Sequence, residues 1–179
     1  LARAAADEVR PGMTLGLGTG ATAEAVLREL GRRVGDGLAI GGVPTSVKTE
    51  RVAREVGIPL LPLDEAGRLD LGIDGADELD PNLDAVKGHG GALLHEKLVA
   101  LACADWLVVA AAAKRVARLG ERVALPVEVV PFGWRQTAAR LRALGLDPVL
   151  RTNDDGTPYR TDGGHLMLHC GPAPIAAPA

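Results

Sequence analysis

Met13-Thr-Leu-Gly-Leu-Gly-Thr-Gly-Ala-Thr-Ala-Glu-Ala-Val-Leu-Arg-Glu-Leu-Gly-Arg-Arg-Val34 is the stretch that decides the fold. Residues 13–17 form an apolar run of strand length. Residues 21–34 place Ala21, Ala25, Val26 and Leu30 at helical spacing. Between the two, Gly18-Thr19-Gly20 turns strand into helix, a conformation glycine adopts without steric cost. The same alternation continues outward. Residues 1–9 are helical in composition and end at a Pro11-Gly12 turn. Strands are expected at 38–43, 69–73 and 106–111, the last as a continuous apolar run of the buried kind. Helices are expected at 46–56 and 92–104. Alternating strands and helices predict an α/β fold: a Rossmann-like, mostly parallel sheet with helices on both faces.

Composition shifts after Gly120. A weakly alternating strand, 125–130, precedes an amphipathic helix, 132–144, with Arg135, Arg140 and Arg142 outward. Two short strands follow, at 148–151 and 165–170. Asn153-Asp154-Asp155-Gly156 and Asp162-Gly163-Gly164 supply the turns. The expected division is an α/β domain over 1–124, a small α+β domain over 125–170 and an irregular tail over 171–179.

The chain has 179 residues, 47% of them hydrophobic and 24% charged, the balance of a soluble globular protein. Twenty Lys and Arg face 23 Asp and Glu, a net charge of −3. There is no basic excess for a phosphate backbone. Aromatic residues, at 2%, are too few for a base-stacking platform, so no nucleic acid partner is expected. The longest charge-poor stretch, 98–113, is broken by Asp105 and is too short to span a membrane. No basic segment precedes an apolar run at the start, so no signal peptide is visible and a cytoplasmic location is expected. Cys103 and Cys170 lack a CxxC partner and read as buried or free thiols in a reducing compartment. The first residue is Leu1 and the last nine are GPAPIAAPA, so both ends read as cut edges.

Three clusters could carry chemistry. Gly16-Leu-Gly18-Thr19-Gly20-Ala21-Thr22 opens a helix whose unpaired N–H groups and dipole favour a phosphate; a turn needing glycine for geometry alone is an equal reading. A dinucleotide is disfavoured, because the second strand ends Gly42-Val43-Pro44-Thr45 with no carboxylate for the ribose. The P-loop pattern also fails, leaving a small phosphorylated ligand as the better fit. Asp74-Gly75-Ala76-Asp77-Glu78 puts three carboxylates after a strand, where α/β sheets bind ligands and where crowding separates acid and base roles; a solvated acidic turn or a magnesium site is the alternative. Lys87-Gly88-His89-Gly90-Gly91 is a second Gly-rich turn with a fixed positive charge, followed by a helix carrying His95, Glu96 and Lys97. A lone helical glutamate is more often a solvent-facing residue. His89 and His95 lack the context of zinc ligands. Lys114, soon after a strand, is within reach of a ligand phosphate or is simply exposed.

The ordered set resembles the ribose 5-phosphate isomerase A family: Gly18-Thr-Gly20-Ala-Thr22, Val43-Pro-Thr-Ser46, Asp74-Gly-Ala-Asp77, Lys87-Gly-His-Gly90 with Glu96-Lys97, and Leu125-Pro-Val-Glu-Val-Val-Pro131. Any one motif is weak; the set in this order is highly specific and covers residues 1 to about 170. The resemblance implies an aldose–ketose isomerase interconverting D-ribose 5-phosphate and D-ribulose 5-phosphate through an enediolate, in the non-oxidative pentose phosphate pathway. No metal or organic cofactor is implied. Glu96 matches the general base. Asp74, Asp77 and Lys87 match residues that assist ring opening and steady the oxyanion. Thr19, Gly20, Ala21, Thr22, Gly75, Ala76, Gly88, His89, Gly90 and Lys114 match substrate-binding positions. A homodimer or homotetramer is implied, with no membrane partner.

Three departures stand out: Ala21 where the family has serine, Ala111 where it has an acidic residue, and His89 for a glycine of a KGGG turn. If position 89 needs a positive φ, His89 is strained there. Family members continue for about one more helix and two or three strands, so the small domain is expected to be incomplete. A non-catalytic sugar-phosphate sensor, an acyl-CoA transferase-like enzyme and an inactive fragment are the competing readings.

Overall fold

The computed structural model describes residues 1–171 and 173–175. In chain order they form α1 (Ala2–Asp7), β1 (Thr14–Leu17), α2 (Ala21–Gly35), β2 (Gly41–Pro44), α3 (Val47–Glu55), α4 (Leu63–Ala66), β3 (Leu69–Asp74), β4 (Glu78–Leu79), β5 (Ala85–Val86), α5 (Leu93–Ala102), β6 (Cys103–Val108), a 3-10 turn (Ala112–Lys114), β7 (Leu125–Val129), α6 (Trp134–Ala143), β8 (Pro148–Leu150) and β9 (Leu166–Cys170). Residues 172 and 176–179 of the expected irregular tail lie outside the described residues. Two compact units result: Leu1–Gly75 with Leu94–Ala111, and Ala76–Leu93 with the residues from Ala112 onward.

The first unit holds a four-stranded parallel sheet in the order β2-β1-β3-β6. From β1 the chain passes through α2 to β2 on one side, then returns to β3 on the other. This reversal leaves a crevice at the carboxyl ends of β1 and β3, the place where α/β sheets bind ligands. Side-chain alternation sorts the two faces. Leu15, Leu17 and Ile73 pack with Val26, Leu27 and Leu30 of α2, Val52 and Ala53 of α3, and Ala5 and Ala6 of α1. Arg33 of α2 donates to the Ala6 carbonyl (2.8 Å) and to the Asp7 carboxylate (2.6 Å), holding α1 in place.

The opposite face carries glycine at the centre of β1 and β3. A Cβ at Gly16 would lie 2.7 Å from Val99 Cγ1, and one at Gly72 would strike the Trp106 ring. These glycines let Val99 of α5 approach the sheet, while Val43, Leu69 and Val99 form a second core with Leu63 and Ala66 of α4. Helices thus cover both faces, as the alternation implies.

The expected strand at 106–111 is displaced. β6 starts at Cys103 and stops at Val108, and α5 ends at Ala102 rather than Ala104. Apolar composition continues smoothly through 98–104, so periodicity marks no boundary there. Pairing with β3 sets it instead, with Leu69 opposite Cys103 and Leu71 opposite Asp105. Nor is the strand buried on both sides: Ala104 and Asp105 are exposed.

The second unit contains a three-stranded antiparallel sheet, β7-β9-β8, with α6 against it. Val129, Leu166, Leu168, Cys170 and Ala138 form its core, matching the expected β-α-β-β order. An unexpected hairpin, β4–β5, pairs Glu78 with Val86 and Leu79 with Ala85. Its turn is closed by the Asp80 carboxylate, which accepts from the N–H groups of Asn82 (2.9 Å) and Asp84 (3.0 Å). Strands of two residues leave no periodic signal.

Among the described residues no helix is long and apolar enough to cross a membrane. The two cysteines are free. Burial pushes the Cys103 thiol up to about 11, against a smaller opposing hydrogen bond from the Gly16 backbone. Burial, then the charge of Asp147, also raises Cys170. Both thiols should therefore remain protonated and resist alkylation at pH 8 in the native protein, and react fully in denaturant. Mass spectrometry after brief iodoacetamide treatment checks this; fast native labelling of Cys103 would contradict it.

Candidate active site

In the first unit, the turn after β1 and the end of β3 are one hydrogen-bonded assembly. Gly18 N–H donates to the Ile73 carbonyl (2.9 Å). The fully buried Asp74 carboxylate accepts from the N–H groups of Thr19 (3.2 Å) and Gly75 (2.7 Å). A Cβ at Gly18 would fall on that carboxylate, so glycine is required for close approach rather than for φ. Gly20 is different: its φ of +111° makes it the left-handed entry to α2, and no side chain caps the helix. The first-turn N–H groups of α2, with Ala21 exposed and Thr22 half-buried, are therefore disposed for an anion. Glu24 in that turn is held by Arg28 (2.8 Å) and Lys48 (3.2 Å), and their hydrogen bonds lower its pKa, Arg28 foremost.

Thr19 does something the motif does not announce. Its hydroxyl lies 2.8 Å from those of Thr45 and Ser46 and 3.0 Å from that of Thr49. Thr45 in turn donates to the Leu17 carbonyl (2.9 Å) and Thr49 to the Gly18 carbonyl (2.9 Å), while Ser46 caps α3 through the Thr49 N–H. The side chain of Thr19 thus knits the turn to β2 and α3, and its backbone N–H serves Asp74. Sequence reasoning quoted Val43-Pro-Thr-Ser46 but gave its hydroxyls no task; their use appears only in three dimensions.

Glu96 stands in the first turn of α5 and is 4% exposed. It shares a helix face with Val99, three residues on, whose side chain lies over Gly16. Because α5 leads into the amino end of parallel β6, its first turn lies toward the carboxyl ends of the strands, the end that carries Asp74. A surface role for this glutamate is excluded by its burial.

The second unit gathers Asp77, the turn 87–91 and Lys114. Asp77 N–H donates to the Val86 carbonyl (2.8 Å), and its carboxylate accepts from the His89 N–H (3.0 Å). Ala76 precedes it, half-buried. Lys87 is half-buried, Gly88 buried and Gly90 exposed. Left-handed φ falls on Gly88 (+106°) and Gly91 (+87°), whereas the only described non-glycine with positive φ is Leu83. His89 is therefore unstrained, which settles the question raised by its departure from the glycine pattern. Its ring Nε2 lies 2.7 Å from the Ala124 carbonyl, its own carbonyl accepts from Arg151 (2.8 Å), and its ring packs 5.0 Å from that of His169. Burial, then the charges of His89 and Arg151, lowers the pKa of His169. Lys114 ends the 3-10 turn, exposed.

Comparison with known proteins decides the family. The family model for ribose 5-phosphate isomerase A (phosphoriboisomerase A) matches residues 41–179. The chain belongs to the ribose 5-phosphate isomerase A family. The isomerase of Synechococcus sp. (strain JA-3-3Ab) is 52% identical over 180 residues, 99% of this chain and 78% of that protein. That of Roseiflexus castenholzii is 52% identical over 179 residues, 99% of this chain and 76% of that protein. Among solved structures, ribose 5-phosphate isomerase A from Methanocaldococcus jannaschii superposes with a TM-score of 0.94 at 36% identity, covering 98% of this chain and 79% of that one. A D-ribose-5-phosphate isomerase in complex with phospho-erythronic acid gives 0.95 at 32% identity, covering 98% and 78%.

Ribose 5-phosphate isomerase A membership accounts for which motifs occur together. It leaves the individual tasks of Thr45, Ser46 and Thr49 to be read from the contacts above.

Proposed function

We propose that the chain isomerises D-ribose 5-phosphate and D-ribulose 5-phosphate with Glu96 as the base that carries a proton between C1 and C2. The burial of Glu96 at the ligand-binding end of the sheet is the observation that supports this most. A carboxylate held out of water can be tuned toward the working pH, as proton abstraction beside a carbonyl requires. The negative charge that builds on the enediolate oxygen needs fixed donors, a role for Lys87 and the N–H groups of Gly88 and Gly90, while the His89 N–H holds Asp77. Asp74 and Asp77, with Gly75 and Ala76, bind the sugar hydroxyls and assist ring opening. Thr19, Gly20, Ala21 and Thr22 at the start of α2, with Lys114, take the phosphate; binding energy from that remote group holds the reacting carbons in place.

In this reading the charge on the oxyanion is met by protein groups, without a metal or organic cofactor. A sugar-phosphate sensor would have no task for a buried base. The enzyme is read as a cytoplasmic homodimer or homotetramer. The test is a direct assay of ribulose 5-phosphate formation from ribose 5-phosphate by the purified chain, with and without EDTA. Turnover unaffected by EDTA is expected; binding without turnover would turn the reading toward a sensor.

A further inference from the structure

The second unit contains a buried carboxylate that the reaction itself does not use. Glu78, next to Asp77, is 1% exposed. Its carboxylate accepts from three backbone N–H groups far along the chain: Gly120 (2.5 Å), Arg122 (2.6 Å) and Val123 (3.0 Å). The neighbouring Leu79 holds the same loop at its other end, its carbonyl accepting from Val116 N–H (3.0 Å) beside a bridge to Arg115. The loop is also tied internally. The Arg122 guanidinium donates to the Ala113 carbonyl (3.1 Å), and Ala117 N–H donates to Glu121 (3.1 Å). Lys114 sits at the head of this loop, directly before Arg115. Both ends of the segment that presents Lys114 are thus fastened to the two residues that follow Asp77.

A long exposed lysine loses rotamer freedom when it grips a ligand, and a fixed backbone under it lowers that cost. We propose that Glu78 is a positioning residue: by fastening the 112–123 loop it sets where Lys114 meets the substrate phosphate. The proposal rests on the isomerase reading for its substrate. Three convergent N–H donors suit a carboxylate and not an amide, because the NH2 of glutamine would face N–H groups.

The test is Glu78→Gln, with Lys114→Ala and the double variant beside it. Glu78→Gln is expected to raise KM for ribose 5-phosphate about tenfold, the loss expected for one charged hydrogen bond, with kcat within about threefold of wild type. Affinity for phospho-erythronic acid, measured by calorimetry, should fall by the same factor. The double variant should bind no worse than Lys114→Ala alone, because Glu78 acts through that lysine. A merely structural Glu78 would lower the active fraction, so kcat would fall at unchanged KM and the effects of the two substitutions would multiply; either result overturns the proposal. Should Glu78→Gln not fold, Glu78→Asp keeps the charge on a shorter stem and is read in the same way, unchanged KM in that variant overturning it. Wild-type chain that neither turns over ribose 5-phosphate nor binds phospho-erythronic acid overturns the isomerase reading itself, and the Glu78 proposal with it.

Discussion

Glu96→Gln should lower kcat by about 10³, within the 10²–10⁴ range for loss of a general base, while leaving KM for ribose 5-phosphate nearly unchanged. Glutamine has the shape of glutamate, so the packing of α5 beside Val99 is retained and the protein should unfold at close to the wild-type temperature. What disappears is the ability to take a proton. Two measurements separate these effects. Steady-state kinetics gives the loss in kcat, and calorimetric titration with phospho-erythronic acid shows whether the site still binds. Exchange of substrate hydrogen with deuterated solvent should cease along with turnover. Near-normal kcat in a well-folded Glu96→Gln protein would remove Glu96 from the mechanism.

The second large effect is expected from a single methyl group. In Gly18→Ala the new Cβ lands on the Asp74 carboxylate, which is fully buried and held by the N–H groups of Thr19 and Gly75. The carboxylate has to leave its place, or the turn has to open. Overpacking of this kind costs about 1–3 kcal/mol of stability, and a carboxylate displaced by about 1 Å costs roughly 10²-fold in rate. Gly37→Ala, outside the site, is the control: its φ of +102° brings backbone strain, but a Cβ there meets nothing within 4 Å. It should cost about 1–3 kcal/mol of stability and leave Asp74 in position. Thermal unfolding and kinetics on both variants test the contrast. Full activity in Gly18→Ala would show that the position of Asp74 is not critical.

How much of this was legible in the sequence varies with the range of the interaction. The strand–turn–helix at 13–34 was legible because its signals are local: an apolar run, two glycines and helical spacing. The turn at 87–91 was also visible, but the reason for each glycine was not. Gly88 and Gly91 need positive φ and position 89 does not, a distinction that no composition carries. Taken alone, Glu96 read as one more helical glutamate, and only the family resemblance singled it out as the base. Its burial follows from sharing a face with Val99, which lies over Gly16 of β1, eight elements earlier in the chain. Glu78 was visible only as the third acid of a cluster, because its first partner lies 42 positions away and is a backbone N–H, which has no residue type. The β4–β5 hairpin and the three-residue displacement of β6 were hidden for a related reason: pairing register sets them, not propensity.

His89 has a consequence for how this family can change over time. The loop is gripped through its main chain, by Asp77 on the N–H and by Arg151 on the carbonyl, and those grips are blind to the side chain between them. With no demand for positive φ, an L-residue adopts this backbone without strain, so the main-chain grips do not require glycine. Replacing His89 therefore costs its ring contacts with the Ala124 carbonyl and His169, whereas replacing Gly88 or Gly91 strains the backbone itself. A strict KGGG pattern would overlook such members of the family. The spacing of the glycines that must be glycine is the better signature.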